Sequence, residues 1–184
     1  MEYKLTTPLT REMLAPLRAG DTVLLSGVVY TARDAAHKRM MELLDAGAPL
    51  PFPVEGAAVY YGGPTPERPG QVIGAAGPTT SGRMDAYAPR LLDLGLAAMI
   101  GKGGRSQAVQ DSVVKNGAVY LAALGGAGAL MAGSVERLDI IAWEDLGCEA
   151  VRRLEVQDMP LTVILDSHGG NLYASGPAAY LASL

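Results

Sequence analysis

Apolar runs too short for helices alternate with glycine-stopped helical patterns through the middle of the chain, and this alternation limits the fold to an α/β type. The run DTVLLSG, Asp21 to Gly27, is bounded by turn residues and reads as a buried strand. It leads into TARDAAHKRMMELLDAG, where Thr31 is expected to cap a helix and Gly47 to stop it. Ala57 to Tyr61, Gln71 to Ala76 (QVIGAA), Ala97 to Ile100 and Ala118 to Leu124 read as further strands. Helices are expected from Gly82 to Leu94, ended by Gly95, and from Ser106 to Lys115, stopped by Asn116-Gly117. A short glycine-led helix over GGAGALMAG follows. Val135 to Trp143, Val151 to Val156 and Leu161 to Asp166 alternate as strands do, and His168-Gly169-Gly170-Asn171 is a turn expected to close a hairpin with Leu172-Tyr173. The expected product is a mixed α/β domain with βα units in the middle, mixed sheets, and helices packed against them.

At 184 residues the chain suits one domain with a substantial core and is short for two. Prolines and glycines crowd Ala48 to Gly70, but nothing there has the composition of a flexible interdomain linker. Net charge is −4, so no general basic field points to nucleic acid or an anionic membrane. The single cysteine, Cys148, excludes an internal disulfide and makes a reducing, cytoplasmic compartment the expectation. One cysteine also cannot hold an iron–sulfur cluster or a cysteine-type zinc site. The stretch MEYKLTTPLTREML has no apolar signal core, and the longest apolar runs are far short of a bilayer span.

Three segments carry polar groups that a core does not need. In Arg33-Asp34-Ala35-Ala36-His37-Lys38-Arg39, Arg33 and His37 are four apart and share a face of the first helical turns. Several side chains able to carry positive charge beside a helix N-terminus favour an anion, although a solvated basic face would look the same. In GPTTSGRMD, Gly77 to Asp85, Thr80 or Ser81 can cap the coming helix while the backbone amides form an anion-binding concavity. Thr79 could cap as well, and a cap needs one hydroxyl; two more hydroxyls and Arg83 are left over, and the guanidinium fork of Arg83 suits a carboxylate. In GKGGRS, Lys102 stands in a glycine-rich turn between strand and helix, either aimed into a cleft or on the surface. Its spacing is not that of a phosphate loop. Each segment places a cation and backbone amides at the C-terminal end of a strand, where open α/β sheets bind ligands. The residues alone point to a binder of a small polyanion, a carboxylate or a phosphate.

The ordered motifs TARDAAHKR, GPTTSGRMD, GKGGRS and LGGAGAL, within a match running from Leu5-Thr6-Thr7-Pro8 to Tyr173, resemble the C-terminal domain of class I, iron–sulfur-dependent fumarate hydratases. The β subunit of L(+)-tartrate dehydratase is similar in layout. The resemblance implies a swivelling β/β/α fold and one β-type catalytic domain over residues 1–184. It implies a partner α subunit whose cysteines hold a [4Fe–4S] cluster with one open iron acting as Lewis acid, and no metal ligand in this chain. Arg33 and Arg83 would grip the carboxylates of a small dicarboxylate, with Thr80 and His37 among the substrate-binding residues and His37 supporting Arg33 or a carboxylate. Lys102 would add charge nearby, and Thr79 would sit where a base removes the proton next to a carboxylate. A threonine hydroxyl needs a lowered pKa or a relay for that role, and Arg83 and Lys102 would supply charge for it. Cys148 is not implied as a ligand, and His168 reads as a turn or surface residue. The implied activity is the hydration of fumarate to L-malate, with the chain inactive without its partner. The alternatives are dehydration of tartrate to oxaloacetate, or a non-catalytic anion-binding module of the same fold. The implied assembly is two α and two β chains, or a homodimer of this one.

Overall fold

Two long strands organise the molecule: β2 (Thr22–Thr31) and β7 (Val151–Leu165) run antiparallel from Thr22↔Thr162 to Thr31↔Arg152. The computed structural model describes residues 1–124 and 126–183. On its other edge β2 pairs in parallel first with β1 (Glu2–Thr6) and then with β3 (Ala58–Tyr60). From β3 the parallel pairing continues through β4 (Ala98–Gly101) to β5 (Val119–Ala122), and β5 meets β7 antiparallel. The pairings β2–β3–β4–β5–β7–β2 therefore close a ring, with β6 (Val135–Ala142) added on the first half of β7.

Helix α1 (Arg11–Leu14) follows β1; α2 (Asp34–Asp45) and α4 (Gln107–Asn116) are the crossovers from β2 to β3 and from β4 to β5. Between β3 and β4 come a 3-10 turn (Ser81–Met84) and α3 (Ala88–Asp93). A short α5 (Gly128–Gly133) precedes β6, a 3-10 segment (Glu144–Glu149) follows it, and α6 (Leu172–Ala182) follows β7. Among the described residues no helix is long and apolar enough to cross a membrane.

Strand periodicity divides the core in two, because successive side chains leave opposite faces. Ala58, Tyr60, Ala98, Ile100, Val119 and Leu121 join one cluster with Val23, Leu25, Val29 and Leu161 of the central ribbon. Their neighbours Val59, Tyr61, Met99 and Tyr120 join the other, packed on Ala36 and Met40 of α2, Leu91 and Leu92 of α3, and Val109 and Val113 of α4. The expected mixed α/β domain with helices on the sheet is the observed one.

Several local expectations change. Thr31 is not a helix cap: it ends β2, buried, with its hydroxyl accepting from Arg152 N at 3.1 Å and reaching Ala150 O at 3.4 Å. Arg33 takes the N-cap position without a side-chain bond, and the carboxylate of the distant Glu149 accepts the Ala35 amide at 3.0 Å instead. QVIGAA forms no strand; Ile73 and Ala76 enter the core, while the backbone bonds go to Thr65 and Gly128. The helix expected from Gly82 to Leu94 is split by a turn, with Pro89 in the first turn of α3, where its missing N–H is harmless. Val151–Leu165 is one strand rather than two, because Asp158 at φ 46° absorbs a register shift and β2 pairing continues on both sides; Asp166, expected in the second strand, lies just past its end. The turn after Asp166 closes on a Leu165↔Asn171 bridge, but Asn171 then caps α6 by accepting the Tyr173 amide at 3.0 Å, so no hairpin follows. Of GGAGALMAG, Gly125 lies outside the described residues and the helix begins at Gly128.

Candidate active site

Residues 78–80 lie across the C-terminal ends of β3 and β4. Thr79 N–H donates to Tyr61 O at 2.7 Å, Pro78 bridges Gly62, and Thr80 bridges Lys102. Next to this bridge Ser81 N–H donates to Lys102 O at 2.9 Å, and Lys102 N–H donates to Ser81 Oγ at 3.0 Å. The close approach depends on Gly101, where a Cβ would overlap Ser81 Oγ and lie 3.0 Å from the Tyr61 ring. Thr80 does occupy the N-cap position of the 3-10 turn, but its side chain makes no capping bond. The Ser81 hydroxyl is spent on joining the two loops. That leaves the Thr79 hydroxyl, which makes no side-chain hydrogen bond among the described residues, and the exposed Thr80.

Arg33 leaves the end of β2 beside this edge. Its Nη2 pairs with Glu149 Oε1 at 3.3 Å, its Nη1 lies 4.0 Å from Cys148 Sγ, and its Nε is buried without a partner. Gly63 makes room for it: a Cβ there would stand 2.9 Å from Arg33 Nη1. Arg83 is half exposed and donates through Nε to Asp34 Oδ1 at 2.8 Å, which ties the 3-10 turn to the start of α2. Lys102 is half-buried and makes no ion pair among the described residues. Arg33, Arg83, Lys102, Thr79 and Thr80 are thus brought to one edge of the sheet by three loops. Planar guanidinium groups there suit carboxylates, and a lysine adds a mobile point charge.

His37 differs from the expectation of a cationic side chain. It is fully buried, its Nδ1–H donates to Arg33 O at 2.9 Å, and Nε2 has no partner. Tyr61 meets the ring edge-on and Tyr87 stacks on it. Burial holds its pKa down to about 4; the bond to the Arg33 carbonyl and Asp34 oppose the shift, and Arg105 reinforces it. At neutral pH His37 is uncharged and supports the backbone of Arg33. Arg39 is bound to Asp145 at 2.9 and 2.6 Å, so the basic segment does not act as one patch. His168 sits on its turn with Nε2 2.7 Å from Ala15 O.

Sequence reasoning passed over the layer beneath the loops. Arg105 Nε donates to Asp85 Oδ1 at 2.6 Å, and the other oxygen of Asp85 accepts Ser106 N–H at 2.6 Å. The Arg105 side chain is 0% exposed and lies over Tyr120 and Tyr61, 4.9 and 5.4 Å from their ring centres. The Tyr120 hydroxyl is 2.9 Å from both Ser81 Oγ and Gly103 O. Asp85 and Arg105 stand inside the GPTTSGRMD and GKGGRS motifs, but nothing in their spacing marks them as partners.

The donor set in this chain does not fit an iron–sulfur cluster. Such clusters take cysteine thiolates, the chain has one cysteine, and no group of three or more His, Cys, Asp or Glu side chains among the described residues is placed to hold a metal ion.

The fold and this edge define a mixed α/β domain with arginines and a lysine gathered beyond the C-terminal ends of parallel strands. More narrowly, the chain belongs to the family described as Fumarase C-terminus, whose model matches residues 1–176. It is 37% identical over 166 residues to "Fumarate hydratase 2" of Leishmania major and 38% identical over 168 residues to "Fumarate hydratase class I, anaerobic" of Escherichia coli strain K12. Those alignments take in 89% of this chain in each case, but only 29% and 31% of the relatives. It is also 40% identical over 179 residues to "Putative L(+)-tartrate dehydratase subunit beta" of Methanocaldococcus jannaschii, covering 94% of this chain and 91% of that one. The names of these relatives are those of hydro-lyases, and the resemblance read from the motifs holds over the family match.

Proposed function

We propose that this chain is the β subunit of a two-subunit [4Fe–4S] hydro-lyase, a fumarate hydratase converting fumarate and water to L-malate. The observation that carries this reading is the convergence of Arg33, Arg83, Lys102 and Thr79 on one sheet edge through the GPTTSGRMD and GKGGRS loops. Residues 1–184 act as one catalytic domain in this reading. The cluster is assigned to the partner α subunit, because one cysteine cannot hold it here.

Within this chain, the Arg83 fork grips one carboxylate of the dicarboxylate and Arg33 the other, with Thr80 beside them. Arg33 exchanges Glu149 for substrate, and its buried Nε without a partner gives that exchange a second donor. Thr79 handles the proton on the carbon next to a carboxylate. Lys102 and Arg83 stabilise the negative charge that builds on that carboxylate as the carbon loses its proton. Neutral His37 fixes the backbone from which Arg33 projects. The assembly is two α and two β chains, with a homodimer of this chain as the other outcome, and the compartment is the cytoplasm.

A second reading has its own support. The relative named for tartrate dehydratase matches this chain over 91% of its length, whereas the fumarate hydratases are about three times longer than the part matched. The same arginines serve either four-carbon dicarboxylate.

The test is coexpression with the cluster-bearing partner, anaerobic purification, and assay of fumarate, malate and tartrate. The pair is expected to interconvert fumarate and malate, and this chain alone to do neither. Turnover of tartrate only moves the assignment to the second reading, and an intact cluster-loaded pair with neither activity leaves a non-catalytic anion-binding module.

A further inference from the structure

The buried pair below the loops does more than fill the core. Arg105 and Asp85 belong to the two different motifs, and their contact adds a second link between the loops beside the bonds of Ser81 and Lys102. One Asp85 oxygen holds the Arg105 guanidinium and the other holds the Ser106 amide at the start of α4. The guanidinium lies over the rings of both Tyr61 and Tyr120, and its Nη1 lies 3.3 Å from Met99 Sδ. Tyr120 in turn reaches Ser81 Oγ, which accepts the Lys102 amide. A continuous chain of contacts therefore runs from Asp85 through Arg105 and Tyr120 to the backbone of Lys102.

The Arg105 guanidinium is wholly buried and bound to the Asp85 carboxylate, so a direct grip on substrate is not its role. We propose that Arg105, acting through Asp85, is a positioning residue that sets the register between the loop bearing Thr79 and Arg83 and the loop bearing Lys102. This rests on the hydro-lyase reading for its catalytic consequence, while the coupling of the loops stands on geometry alone. The planar fork matters: a lysine keeps the charge but cannot lie over two rings and reach Asp85 Oδ1 in the same way.

Two measurements test it, on Arg105→Lys and on the near-isosteric Asp85→Asn. In the first, amide hydrogen exchange is followed on the intact chain. Both variants are expected to speed exchange at Ser81 and Lys102 as well as at Ser106; a change confined to Ser106 overturns the coupling. In the second, each variant is paired with the cluster-bearing partner and assayed. Turnover per folded complex is expected to fall about 100-fold, as misplacement of catalytic groups does, with KM little changed. The double variant should be no worse than either single one, because both break the same link. A variant with wild-type kcat, or one that loses activity only in proportion to its loss of folded protein, overturns the positioning role. If Arg105→Lys does not fold, Asp85→Asn decides both measurements. If the wild-type pair turns over neither substrate, the hydro-lyase reading fails and the exchange data still decide the coupling.

Discussion

Arg83 Nε donates to Asp34 Oδ1 across 2.8 Å, although 49 residues separate the two in the chain. The bond engages only the inner nitrogen of the guanidinium, and the outer two make no hydrogen bond among the described residues. Asp34 in this way acts as an internal strut for the exposed fork.

Arg83→Ala is expected to keep the fold and lose most turnover in the complex with the partner, and Arg83→Lys should not restore it, since the bidentate geometry is gone. Asp34→Asn is expected to raise KM about fivefold, because a half-exposed charged pair contributes about 1 kcal/mol after solvent screening. Steady-state kinetics on both variants checks this; an unchanged KM in Asp34→Asn would remove the strut.

Gly101 ends β4 and Gly104 lies in the loop that follows, and the two differ in what surrounds them. A Cβ at Gly101 would overlap Ser81 Oγ, whereas a Cβ at Gly104 meets nothing within 4 Å. Gly101→Ala should destabilise the chain by about 1–3 kcal/mol through overpacking, with Gly104→Ala close to neutral. Urea denaturation of the two variants gives the comparison, and equal midpoints would refute it.

Buried His37 makes stability depend on pH in a defined window. Its folded pKa of about 4 lies below the ordinary 6.5, so between these values the unfolded chain binds a proton that the folded one excludes. Stability should therefore fall as pH drops from 6.5 towards 4, by up to about 3 kcal/mol, with no contribution from His37 above that window. His37→Asn, which retains a donor for Arg33 O, should flatten this part of the profile. Parallel curves for variant and wild type would show that His37 is not its source.

Glu149 serves two partners, the Ala35 amide at 3.0 Å and Arg33 Nη2 at 3.3 Å. Glu149→Ala should cost about 1–2 kcal/mol by uncapping α2, and Glu149→Gln less, because an amide oxygen still accepts. Thermal melts at neutral pH separate the two; an unaffected melting temperature in Glu149→Ala would show that another group caps the helix.

The strands of the middle were legible because each is an apolar run between breakers, as AAVYY and AAMI are. β1 was passed over because EYKLT alternates with charged and polar residues, and only Leu5 is buried. QVIGAA looked like a strand from composition, but its burial comes from packing against other segments and its backbone pairs outside any sheet. α6 escaped because its glycine, proline and serine argue against a helix, and the Asn171 cap overrides them. At the candidate site, the cations were visible as residues out of place in a core. Asp85 and Arg105 were not, since a charged pair reads as surface until the topology buries it.

The ring of strands also dictates the order in which the chain can be completed. β2 is made before β7, yet among the described residues β7 is the only strand that pairs with both β2 and β5. A nascent chain that has not reached residue 151 leaves the β7-facing edges of β2 and β5 unpaired, and nearly half of the sequence lies between those two strands. Long-range closure of this kind slows folding and leaves those edges open to pairing with other chains. On the ribosome, this chain should be most vulnerable to aggregation just before β7 is made.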